Sequence, residues 1–187
     1  MNNKIIHMRQ RITGFTMIEL IVVIVILGIL AAVALPRFTN IQRDARIAKL
    51  NAARGAVQGA ASLIHGTALA RGGIADVAAC PGAGNPGIAD NIATICTEPG
   101  RVTIVNTYPT ADLAGIVSTA GLTSIFPATA AALTPDGYAT AGGGAAAGSV
   151  LTMEVSGGSA PATCSFTYTS PAANAAPVVT AVTTTGC

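Results

Sequence analysis

Hydrophobic positions along the chain fall into three patterns. Residues 15–36, FTMIELIVVIVILGILAAVALP, are apolar all round and carry a single charge, Glu19. This run reaches the ~20 apolar residues that a membrane-spanning helix needs. Beyond it the pattern becomes a stripe. Ile47, Leu50, Ala53, Val57, Ala61 and Ile64 recur every three or four residues, as on one face of an amphipathic helix reaching about residue 70. At 1.5 Å per residue such a helix would be ~75 to 80 Å long, so half of it must stand outside a bilayer and pack on a domain.

The remainder changes period again. Residues 72–100 cluster Gly and Pro and predict a surface connection. Residues 102–107 are β-branched and predict a strand, and Thr110 is placed to cap a short helix to about residue 119. Residues 127–148 are low in complexity and predict loop with one brief strand near Tyr138. Leu151, Met153 and Val155, then Cys164, Phe166 and Tyr168, alternate with polar neighbours, and residues 178–183 form a third strand-like run joined through the turn-rich SPAANAAP. The expected class is α+β: a long N-terminal helix packed on a small antiparallel sheet.

Two details of the apolar run matter chemically. Pro36 lacks the N–H that the Ala32 carbonyl would accept and its ring crowds the preceding turn, so a kink or a short unwound stretch is expected there, with Gly28 weakening the same region. A carboxylate in hydrocarbon costs about 2.5 to 3.5 kcal/mol on insertion scales, so Glu19 calls for a partner. If the chain were cut after Gly14, the new amine of Phe15 would lie one turn before Glu19; the amine of a neighbouring copy packed in register is the other candidate.

Gly14 followed by Phe15, Thr16, Met17, Ile18 and Glu19, then an aliphatic run with Gly28 and Pro36, resembles the class III signal of type IV pilins and pseudopilins. The resemblance implies residues 1–14 as a leader removed by a membrane-embedded prepilin peptidase, with cleavage between Gly14 and Phe15 and N-methylation of Phe15. It implies residues 15–36 as the transmembrane and assembly helix, 37–70 as the amphipathic helix, and 71–187 as a periplasmic or surface head of the type IV pilin fold. It further implies Glu19 as the residue that aligns an incoming subunit, and residues 28–36 as a place where the helix can melt inside a filament. The stretch PRFTNIQRDARIAKLNAARGAVQGAASLIHG and the closing TCSFTYTSP and TTTGC are similar to mannose-sensitive haemagglutinin type pilins. A secretory signal cut at Ala32-Val33-Ala34 fits poorly, because Glu19 would fall inside its apolar region. A plain signal anchor leaves both Glu19 and the Gly14–Phe15 junction unexplained.

Charge refines orientation. Lys4, Arg9 and Arg11 of the leader favour a cytoplasmic N-terminus, whereas Arg37, Arg43, Arg46, Lys49 and Arg54 close behind the run make charge counting alone ambiguous; the leader and the resemblance decide it. Translation from Met8 instead of Met1 would shorten the leader. Residues after Arg54 carry Asp76, Asp90, Glu98, Asp112, Asp136 and Glu154 against Arg71 and Arg101, so a basic stalk and an acidic head could pair between copies. A net charge of +2 without a basic, aromatic-interleaved surface argues against nucleic acid.

Four cysteines in an exported domain predict disulfides, since the periplasm oxidises thiols. Three connectivities exist; the reading adopted joins Cys80 with Cys96 and Cys164 with Cys187. No C-x-x-C pair occurs and His65 falls on a helix, so no metal site is assigned. His7 lies in the leader, and no G-x-S-x-G, P-loop or H-E-x-x-H is present; neither enzyme activity nor a cofactor is expected. The implied function is a structural pilin, with roles in adhesion or motility. Its implied partners are copies of itself, the prepilin peptidase, the pilus assembly platform with its ATPase machinery, and inner-membrane lipid. A type II secretion pseudopilin and a monomeric signal-anchored binding protein are the alternatives.

Overall fold

The computed structural model describes residues 14–82 and 86–187, with backbone alone for 35–40. Lys4, His7, Met8, Arg9 and Arg11, assigned above to the expected leader, lie outside the described residues. Two compact units are present, residues 1–41 and 42–187.

Helix α1, Met17–Arg71, takes up both the apolar run and the amphipathic stripe. Residues on both sides of Pro36, where a kink or a short unwound stretch is expected, are helical. The helix stops where Gly72 and Gly73 adopt left-handed φ of 59° and 72°, a conformation that glycine takes without steric cost.

In the second unit α1 lies against two antiparallel sheets. One has the order β1-β2-β3, from Thr94–Thr97, Gly100–Val105 and Tyr108–Pro109; the other has the order β4-β5-β6-β7, from Tyr138–Gly142, Val150–Val155, Ser165–Thr169 and Val178–Val179. The stripe is divided between them. Leu50, Ala53, Val57, Ala60 and Ala61 share a core with Leu151, Met153 and Val155 of β5 and with Phe166 and Tyr168 of β6. Ile64 and Ala68 pack instead with Ile95 of β1 and with Val102 and Ile104 of β2. Ile47 is half-buried at the edge of the first core. The Tyr168 hydroxyl donates to the Pro109 carbonyl at 2.8 Å, joining the two sheets through a buried bond. Burial of the Tyr168 phenol, with Tyr108 beside it, pushes its pKa up.

Several expectations are corrected. There are two sheets where one was expected, because the 72–100 stretch contains β1, whose Thr94 pairs with Thr103 and Ile95 with Val102. Thr110 is not the helix cap. It is buried and donates its hydroxyl to Asp112 at 2.8 Å, while Asp112 Oδ1 accepts from the Gly115 N–H at 2.7 Å and caps a π-helical turn, Leu113–Val117, that runs into α2, Ser118–Ala120. The 127–148 stretch holds a short helix, α3 (Ala130–Leu133), as well as β4. Strand β7 has two residues, and the rest of the third run contributes one bridge, Ser165 to Thr183.

Disulfides close the second unit at two places. Cys80 is bonded to Cys96 beside β1, and Cys164 at the start of β6 is bonded to Cys187. Gly186 sits so close to the Ala160–Thr163 segment that a Cβ there would overlap the Ala160 carbonyl and the Thr163 hydroxyl.

Candidate functional site

The candidate site is the start of α1, where a polar cap meets an apolar rod. Gly14 and Phe15 precede the first helical residue; Phe15 is 90% exposed, and a Cβ built on Gly14 would meet nothing within 4 Å. Among the described residues, nothing packs against position 14.

Thr16 and Glu19 form a reciprocal capping box. The Thr16 N–H donates to Glu19 Oε2 at 2.8 Å and its hydroxyl donates to the same oxygen at 2.8 Å, while the Glu19 N–H donates to Thr16 Oγ1 at 3.3 Å. The arrangement satisfies donors that the first helical turn leaves unpaired and places a carboxylate at the positive end of the helix dipole. Sequence reasoning sought a partner for Glu19 in an amine and overlooked Thr16. The signal was available as T-x-x-E directly before an apolar run. Oε1 accepts no hydrogen bond among the described residues, which leaves one carboxylate oxygen for a second donor.

Behind this cap the window Met17–Ala34 has a mean hydropathy of 3.0 over 18 residues, and none of it is buried within the chain. Aliphatic side chains from Leu20 to Val33 stand exposed on every side of the helix. Burial of a side chain of this kind stabilises by about 1.5 to 3 kcal/mol, so the segment requires lipid or another apolar helix around it. Gly28 also meets nothing within 4 Å among the described residues; its place in a helix interior costs about 1 kcal/mol relative to alanine.

Three basic residues that follow the apolar run, Arg46, Lys49 and Arg54, turn toward residues 136–187. Arg46 Nε donates to the Cys187 carbonyl at 2.6 Å and Arg54 Nε to the Thr180 carbonyl at 2.7 Å. Lys49 donates to the Asp136 carbonyl and lies 4.3 Å from the centre of the Tyr138 ring. Three of the cations offered for pairing between copies are thus engaged within the chain. At the far end of α1, Arg71 bonds Asp76 at 3.2 Å and Asn91 at 3.1 Å, which ties these two residues to the helix end. His65 stacks on Tyr108 with ring centres 4.0 Å apart and shares a 2.9 Å bond with Thr107, the contacts of a packing residue.

Comparison with known proteins bears on the same segment. Residues 9–35 match the family model described as the prokaryotic N-terminal methylation motif. The type IV narrow pilus major component PilA5 of Thermus thermophilus is 49% identical over 51 residues, 27% of this chain and 44% of that protein. The chain thus aligns with less than half the length of this curated relative. No solved structure matches the chain. A methylation motif that runs into an unburied apolar helix, with a capped carboxylate five residues beyond Gly14, is thus the part of this chain that is similar to a known pilus component.

Proposed function

We propose that the chain is the structural subunit of a type IV pilus. The precursor sits in the inner membrane with its N-terminus in the cytoplasm, a prepilin peptidase cuts between Gly14 and Phe15, and Phe15 is N-methylated. Residues 15–36 then pack with copies of themselves into the core of an extracellular fibre, and residues 71–187 form its outer surface. Glu19 pairs with the Phe15 amine of a neighbouring copy, taking on its Oε1 a donor that the capping box leaves room for. The assembly platform and its ATPase lift the subunit out of the bilayer, and the glycine-to-proline segment, Gly28 to Pro36, supplies the place where the helix loosens. The fibre serves adhesion or motility, and its subunit resembles the mannose-sensitive haemagglutinin type.

The observation that carries this reading is the unburied window Met17–Ala34 behind the Thr16–Glu19 cap: a fully apolar rod with a single acid at its tip. Lipid alone would satisfy the rod, and assembly brings the acid the amine of a neighbouring copy. Four cysteines and a large head favour a surface fibre over a type II secretion pseudopilin, and no catalytic role is assigned. Mass spectrometry of sheared cell-surface material tests the proposal. It should return a chain beginning with N-methyl-Phe15 and carrying both disulfides. A chain that keeps its first fourteen residues and is found only as single molecules in the membrane would refute it. Crosslinking through cysteines placed in the apolar window separates the remaining alternative, since a monomeric anchor gives no copy-to-copy product.

A further inference from the structure

We draw no further inference here: the strongest candidate, the uncharged groove between the α1 face of Gln58, Ser62 and His65 and the chain from Ala173 to Val179, carries nothing because nothing in the structure shows what covers it.

Discussion

Residues 17–34 and 47–68 belong to one helix, yet the first stretch buries nothing within the chain while the second buries Leu50, Ala53, Val57, Ala60, Ala61, Ile64 and Ala68. The difference lies in how apolar residues are distributed around the helix. In the first stretch they surround it, so no single face can serve as an interior and the whole circumference needs an apolar medium. In the second they occupy one face, which two sheets cover, while Gln58, Gly59 and Ser62 remain in water. A helix can therefore be divided between two solvents without any break in its backbone. The polar residues mark the division as clearly as the apolar ones do. Glu19 must be satisfied at the helix tip, whereas Arg46, Lys49 and Arg54 can reach head carbonyls because they sit on the flanks of the buried stripe.

Substitutions can break this comparison, beginning with the largest effect. Glu19→Ala should leave trimming of the leader largely intact and abolish incorporation into fibres, as read by immunoblot for cleavage and electron microscopy for filaments; fibres of normal abundance would remove the charge pairing from the mechanism. Gly14→Glu should act one step earlier and leave the leader attached, visible as a larger band. Within the helix, Leu50→Ala should destabilise the head by about 2 to 5 kcal/mol, the usual range for a fully buried leucine. Leu27→Ala, in the unburied window, should leave the thermal unfolding of the head in detergent unchanged. Equal shifts from the two would mean that the halves are not separate environments.

Loss of the second disulfide should come next. Cys164→Ser opens a link of sequence separation 23, and a closed loop of that order is worth about 3 kcal/mol, so the unfolding midpoint in denaturant should fall accordingly. Two glycines then sharpen the contrast between covered and open positions. Gly186→Ala would press a methyl into the Ala160 carbonyl and should cost about 1 to 3 kcal/mol. Gly59→Ala, where nothing lies within 4 Å, should raise head stability by about 0.5 to 1 kcal/mol. If Gly59→Ala instead left the head stable but reduced fibre yield, the exposed face of the helix would be in contact with another copy.

The smallest effect is electrostatic. Slight burial pushes the Asp90 carboxyl up, but hydrogen bonds from Ile92, Thr94 and Ala93 outweigh it and hold the pKa at about 2, below its ordinary 3.8. A depressed carboxylate pKa contributes stability that is complete above the unfolded value and is lost as pH falls from about 4 through 2. Asp90→Asn should accordingly flatten part of the acid limb of a stability-versus-pH curve and leave neutral fibres unaffected. An unchanged acid limb would show that these bonds do not persist in solution.

Much of this architecture was legible because it is periodic. The all-round apolar run, the stripe from Ile47 to Ile64, and the alternations Leu151-Met153-Val155 and Cys164-Phe166-Tyr168 each express a local geometry that repeats every 3.6 or 2 residues. The Thr16–Glu19 cap was equally local and could have been read from T-x-x-E. What escaped the reading depended on distant partners. Strand β1 lies in a Gly- and Pro-rich stretch and exists because Thr94 and Ile95 find Thr103 and Val102. Thr110 and Asp112 are both good capping residues, and the choice fell to Asp112 because Thr110 is buried and spends its hydroxyl on Asp112.

The sequence by itself determined which segment needs an apolar solvent, which face of the helix needs a cover, and where one acid must find donors, because each follows from transfer free energies of side chains in a fixed helical repeat. The tertiary structure alone decided that the cover is two sheets and that Arg46, Lys49 and Arg54 serve their own head. Those outcomes rest on contacts between residues as far apart as Arg46 and Cys187, whose meeting no local pattern encodes.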